Sequence, residues 1–294
     1  MSRVHNNFLA VTFALLSALT IAVGTVWRHQ IVLRHRRQTE NANGSAGASK
    51  VSTLGTVKRP TWWLSLALAW LAYGFQAIAL AFGSLLVVQP VLVLSLLMTL
   101  VLAARVERRP MEIDETFWAT TLTAAVGVLV ILGRPVPGTR EAPPAEWVIT
   151  VGIGAVIMAV VFVVAVGHEA SISTFALGAV CGAIFGYLAV FSKKAVDTFV
   201  AGGVEGLVTA WPLYALLAAA AIGTIVQQYA FSAGNLAQSL PAMKIFEPLL
   251  AYALGLTLLG ESFSVSSPLG WTVIGAATVG MVGAAAALSV RATR

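Results

Sequence analysis

The chain has 294 residues, 58% of them apolar and only 10% charged, with a mean hydropathy of +0.87. A soluble protein carries about 25% charge, so this composition excludes an ordinary globular domain and defines a polytopic α-helical membrane protein. The net charge of +6 comes from basic residues in loops flanking apolar runs, which argues for membrane orientation and against nucleic acid.

A span needs about 20 apolar residues. On that measure helix 1 is expected over Phe8–Trp27, helix 2 over Thr61–Ala81 and helix 3 over Ser84–Ala104. Helix 1 lacks small residues at its end, where Trp27-Arg28-His29 stand, so it reads as a retained span and not a cleaved leader. Helices 2 and 3 are interrupted only by Gly83-Ser84 and form a tight hairpin. Helix 4 is expected over Thr116–Gly133, helix 5 over Trp147–Gly167, helix 6 over Ser171–Phe191 and helix 7 over Leu207–Gln228. Helix 8 covers Leu240–Gly260 and helix 9 Pro268–Val290. Residues Gln38–Gly55, rich in Asn, Gly, Ser and Ala, read as a disordered loop. Arg134–Gly138 and Pro143-Pro144 read as extended linker. Long apolar runs of this kind are not the short alternating segments of an outer-membrane barrel.

One signature occurs twice. Gln76-Ala77-Ile78-Ala79-Leu80-Ala81-Phe82-Gly83-Ser84-Leu85 is matched by Gln227-Gln228-Tyr229-Ala230-Phe231-Ser232-Ala233-Gly234-Asn235-Leu236. A helix with an amide or acid before proline follows each, Gln89-Pro90 and then Glu247-Pro248. Phe13-Ala14-Leu15 and Phe175-Ala176-Leu177 extend the match to helices 1 and 6, and Trp118 with Gly127 falls opposite Trp271 with Gly280. Helix 5 has no partner, so equivalent helices lie five spans apart. An odd offset makes the two copies run oppositely through the bilayer, the inverted repeat of many secondary transporters. The expected organisation is a first half over 1–133, a linker with helix 5 over 134–170, and a second half over 171–294.

Basic residues collect on one face: Arg28, Arg34, Arg36, Arg37, Lys50, Lys58, Arg59, Arg105, Arg108, Arg109, Arg291 and Arg294. The other face has Arg3, Arg134, Arg140, Lys193 and Lys194. That asymmetry puts the N-terminus outside and the C-terminus in the cytoplasm. Lys193-Lys194, on the outer side, runs against it.

The two signatures, Pro90 and Pro248, the Leu258-Leu259-Gly260-Glu261 closing helix 8 and the Gly-rich last helix resemble the drug/metabolite transporter superfamily, in its EamA-like group of inner-membrane carriers. The likeness runs from about Phe8 to Leu288. It implies an inverted-repeat bundle for a small solute. Members usually have ten helices, and this chain has about nine, with the first of the first half missing. The first copy also departs at the end of its proline helix, with Ala103-Ala104-Arg105 where Gly-Glu is expected. The helix count and outside N-terminus resemble the NIPA-type magnesium transporters of the same superfamily.

Glu247 is the sharpest candidate for chemistry. A charge at mid-membrane costs about 2.5–3.5 kcal/mol on insertion scales, so such a residue faces a cavity or a partner. Either it is a proton- or substrate-responsive carboxylate on the pathway, or it forms a structural ion pair with Lys244, three residues earlier on the same face. Pro248 frees a carbonyl one turn back. Gln89 is expected to pack or to bind a polar solute, Gln227 and Gln76 lie near helix ends, and Asn235 and Gln238 are expected in the polar connection after helix 7. His168-Glu169 and Lys193-Lys194 read as interfacial anchors, and Glu261 as a cap for its own short loop. Gly178, Gly182 and Gly186 form a close-approach stripe, for internal packing or, alternatively, a homodimer contact or a sliding surface. Trp62, Trp63, Trp118, Trp147, Trp211 and Trp271 read as interfacial belt residues. Cys181 stands alone and forms no internal disulfide.

No phosphate-binding glycine loop, metal-ligand spacing or nucleophile with its base is present, so an ATP pump, a metal or other cofactor and an intramembrane enzyme are not expected. The expectation is a secondary transporter in the cytoplasmic membrane, with helices 1, 3, 6 and 8 lining its cavity. Its partners are the lipid bilayer and a small organic solute, coupled to a proton or cation. The rival readings are a magnesium-type cation transporter, a carrier of lipid-linked substrates, and a non-transporting scaffold whose basic loop Arg28–Arg59 binds anionic lipid.

Overall fold

The computed structural model describes residues 6–42, 60–108, 110–138, 140, 142–166, 170–232 and 236–291. Nine α-helices stand among the described residues. They are α1 (Asn7–Ala42), α2 (Pro60–Phe82), α3 (Leu85–Glu107), α4 (Ile113–Gly127), α5 (Pro144–Val166), α6 (Ala170–Thr209), α7 (Trp211–Ser232), α8 (Leu236–Thr257) and α9 (Pro268–Arg291). A π-helical turn, Val128–Leu132, extends α4. Strands β1 (Pro135–Val136) and β2 (Ser262–Phe263) pair antiparallel, with Pro135 opposite Phe263, and tie the loop after α4 to the loop after α8.

Seven of these helices are long and apolar enough to cross a membrane, so the chain is an all-α multi-pass membrane protein. Within α2 the described apolar stretch is Trp70–Phe82. In α8 the run is diluted by Gln238, Lys244, Glu247 and two prolines.

Two helices overrun the expected spans. α1 continues past Trp27 to Ala42, about 22 Å further at 1.5 Å per residue. Residues 28–42 contain neither Gly nor Pro, so nothing stops the helix where its apolar run stops. The expected loop from Gln38 therefore begins inside α1, and its remainder, 43–55, lies outside the described residues, as do His168, Glu169 and Asn235. α6 continues past Phe191 to Thr209, broken at Gly203, whose φ of 62° and ψ of −156° suit only glycine. Its 40 residues would extend about 60 Å if straight, twice the hydrocarbon thickness. Phe191 and Trp211 rings lie 6.1 Å apart, so the chain, which becomes exposed at Phe199, comes back to the level of Phe191 to start α7. α7 thus begins at Trp211, four residues after the expected Leu207. Pro144 opens α5 and does not belong to the linker, because its fixed φ suits a first helical turn.

The bundle is built around two three-helix packs. α1 packs on α2 and α3, and α6 packs on α7 and α8. α4 and α8 lie against α9, while α2 meets α6 and α3 meets α8 along thinner seams. α5 touches the rest chiefly through α6, and only 6% of its span is buried.

The α6 glycine stripe explains the densest contact. A Cβ on Gly182 would stand 2.5 Å from the Met243 carbonyl oxygen and 2.9 Å from its Cα. Gly178 meets Ser239 in the same way, and Gly186 meets Glu247 and Leu250. The stripe is consumed by α8, which settles its use as internal packing and removes it as a dimer contact. Substituting Gly182 by Ala is expected to cost about 1–3 kcal/mol, since backbone and not a flexible side chain must give way. Gly152→Ala on α5, where nothing lies within 4 Å, is expected to be neutral or slightly stabilising. Thermal unfolding of both variants in detergent compares them.

Candidate functional site

α8 holds the strongest candidate. Glu247 lies near its middle, and the Lys244 Nζ donates to its Oε2 at 3.1 Å across one turn. The two side chains remain 33% and 27% exposed, so the pair borders open space and is not sealed into a core. Gly186 of α6 backs the Glu247 carbonyl. Tyr73 of α2 and Cys181 of α6 lie within electrostatic range of Lys244. The pair therefore sits where α8, α6 and α2 converge. Counting ten residues from Glu247 to the end of α8 at Thr257 puts it about 15 Å from that end, midway along the helix. Pro248 has no N–H to offer the Lys244 carbonyl, which leaves a free acceptor beside the pair.

The remaining sequence candidates are dispersed. Gln89 is 3% exposed within α3, while Gln76 on α2 and Gln227 on α7 are half-buried. Among the described residues no hydrogen bond joins them to Lys244 or Glu247. The pairing of Pro90 with Pro248 also shifts. Pro90 is the sixth residue of α3, and the sixth residue of α8 is Pro241. The signature's own spacing, Leu85 to Leu236, carries Pro90 onto Pro241, so Gln89 is not the register equivalent of Glu247.

A second polar cluster went unrecognised in the sequence. Lys193, expected at the membrane interface, is 7% exposed. Its Nζ donates to the carbonyls of Leu80 at 2.6 Å and Gly83 at 3.0 Å, and pairs with Asp197 Oδ1 at 3.2 Å. It thereby satisfies the C-terminal end of α2, where the helix dipole is negative. Glu261 is 3% exposed and accepts from the Leu85 and Leu86 amides at 2.7 and 2.9 Å. It caps the N-terminus of α3, a helix from the other end of the chain, and not its own loop. Ser84 occupies the N-cap position with no side-chain cap bond, so Glu261 takes over its role. Gly260, at φ 64°, turns the chain so that the Glu261 N–H reaches the Gly255 carbonyl at 3.0 Å. The available sequence signal was two charges, Lys193 and Glu261, standing directly at the ends of apolar runs.

Burial pushes the Glu261 carboxyl up to about 6, against the opposing pull of the Leu85 and Leu86 amides and of Lys193, with Asp197 adding to the rise. The folded value lies above the ordinary 4.5, so this structure favours the protonated form. Its contribution to stability is complete below the ordinary value and is lost as pH climbs through the folded one.

An apolar cleft of about 530 Å³ opens between α5, α6 and α7, lined by residues such as Met158, Phe162, Ile184, Tyr187 and Ile222. The Tyr187 hydroxyl donates to the Thr150 carbonyl at 2.9 Å and ties α5 to α6. Trp147, expected in the interfacial belt, is instead 6% exposed and packs its ring 5.0 Å from Trp211 at one end of this region.

The fold and these sites define a multi-pass membrane protein with charged groups held between its apolar helices. The chain is 46% identical over 285 residues to an uncharacterized protein of Corynebacterium glutamicum, a match that spans 97% of this chain and 96% of that one. It belongs to the same family as that protein. No family model matches the sequence, and no solved structure matches it.

Lys193→Met is expected to cost about 3–5 kcal/mol, because it removes a buried cation that two helix-end carbonyls and Asp197 rely on. Tyr252→Phe is expected to be neutral or stabilising, since the Tyr252 hydroxyl is buried with no hydrogen-bond partner. Thermal unfolding in detergent measures both.

Proposed function

We propose that the protein is a secondary transporter of the drug/metabolite type, moving a small organic solute across the cytoplasmic membrane by alternating access. The observation that carries this reading is the Lys244–Glu247 pair: a partly open ion pair, midway along a helix interrupted by proline. An i,i+3 pair within one helix can open and reclose without unfolding the helix. A polar solute or a proton that binds Glu247 competes with Lys244, and the free Lys244 carbonyl offers a further contact.

Packing supports the inverted-repeat arrangement of nine spans. α1 lies on α2 and α3 as α6 lies on α7 and α8, and α4 rests on α9, its expected equivalent. The proposed orientation, N-terminus outside, also gains from the site. Lys193, which counted against it, neutralises a helix end inside the protein and carries no information about loop charge. The magnesium reading has less support, because no group of three or more His, Cys, Asp or Glu stands together among the described residues. A carrier of lipid-linked substrates has one specific observation in its favour, the apolar cleft beside α5.

Access can be tested without knowing the solute. Cys181 is the single cysteine, so Cys181→Ala provides a cysteine-free background. In it, Glu247→Cys is expected to react with membrane-impermeant thiol reagents supplied from either side of oriented vesicles. Reaction from one side alone, or from neither, rejects alternating access. Thermal-shift screening against metabolites and cations then identifies the solute, and its transport is expected to fail in Glu247→Gln while the fold persists.

A further inference from the structure

We propose that Glu261 and Lys193 form a gate at the end of the bundle that carries the α2–α3 turn, a latch whose carboxylate takes up a proton on closing and releases it on opening. The inference rests on the carrier reading above, and under the orientation given there this gate faces outside.

The geometry has the features of a latch. Both ends of one turn, the α2 carbonyls and the α3 amides, are held by side chains from the other half of the chain. Elsewhere α2 and α3 meet that half along thin seams with α6, α8 and α9. Polar bonds of this kind break and re-form without disturbing the apolar packing inside each three-helix pack. Release of the turn would separate α2 and α3 from α6 and α8 above the Lys244–Glu247 pair, which is the route a solute needs.

The groups facing Glu261 are Lys193 and Asp197 from α6, Tyr252 from α8, and the Leu85 and Leu86 amides from α3. Arg140 packs its backbone beside Gly260, but its guanidinium is held by Glu146 at 2.6 Å. Two hydroxyls at this end, Ser84 Oγ and Tyr252 Oη, are buried with no hydrogen-bond partner among the described residues. The proton is drawn from water at the gate and returned there, with no other bond made or broken.

The sign follows from linkage. Opening wets Glu261 and restores an ordinary carboxylic acid, whereas the closed state holds its carboxyl near 6. The closed state therefore binds the proton more tightly, so acid shuts the gate and neutral pH loosens it.

The test uses Ser84→Cys in the Cys181→Ala background, in proteoliposomes, with an impermeant thiol reagent. At each pH the rate is normalised to the same variant unfolded in detergent, which removes the thiol's own ionisation. Labelling is expected to be about tenfold faster at about pH 7.5 than at about pH 5. Glu261→Gln is expected to flatten that dependence. Asp197→Asn, which removes a charge that raises the carboxyl, is expected to move the midpoint to lower pH. An unchanged pH profile in Glu261→Gln overturns the latch, as does an absence of labelling at any pH. Should Glu261→Gln fail to fold, an unmoved midpoint in Asp197→Asn overturns it instead. Two-sided labelling of Glu247→Cys with a flat Ser84→Cys profile rejects the latch alone. One-sided labelling of Glu247→Cys with the expected pH profile at Ser84→Cys rejects the carrier and leaves the latch as a pH-sensitive contact.

Discussion

A turn between two apolar helices leaves carbonyls at one helix end and amides at the next, and each must find a partner where water is scarce. The α2–α3 turn meets this demand with Lys193 and Glu261, drawn from α6 and from the loop after α8. That requirement joins residues more than a hundred positions apart. It brings the β1–β2 ribbon, the start of α3 and the middle of α6 to one end of the bundle. The ends of the hairpin carry opposite partial charges, so a cation and an anion are both needed, and the chain places one of each there.

Tightness is distributed unevenly. Along α6 and α8 the backbones approach as closely as glycine permits, and side-chain volume has been removed to allow it. α5 instead stands off the bundle, tied by the Tyr187–Thr150 bond and bordering an apolar cleft. In a bilayer the hydrophobic effect does not press helices together, so association depends on small residues and polar bonds. The α6–α8 contact is thus a rigid unit. The seams of α2 and α3 with α6 and α8 are where relative motion is least resisted.

The two charged groups differ in kind. Lys244 and Glu247 satisfy each other within one helix and remain partly open. Lys193, Asp197 and Glu261 are more deeply enclosed and are spent on backbone groups of other helices as well as on one another. Removing one member of the first pair leaves a charge beside open space. Removing a member of the second group leaves backbone dipoles and a charge buried without compensation, which is the costlier outcome.

Composition and hydropathy alone determined that this is a helical membrane protein, and they located the helices, because burial in lipid requires long apolar runs whatever the packing. They also singled out Glu247 and its neighbour Lys244, since spacing of three on a helix is a local property. Helix ends were less legible: α1 and α6 continue past their apolar runs because backbone helix needs only the absence of breakers. Pairing Pro90 with Pro248 failed because a resemblance of residue types outweighed the count from the helix start. The roles of Lys193 and Glu261 were beyond the sequence, since each caps a helix over a hundred residues away. Only the tertiary structure could decide which helix end each charge would serve, for that depends on which ends are brought together and deprived of water.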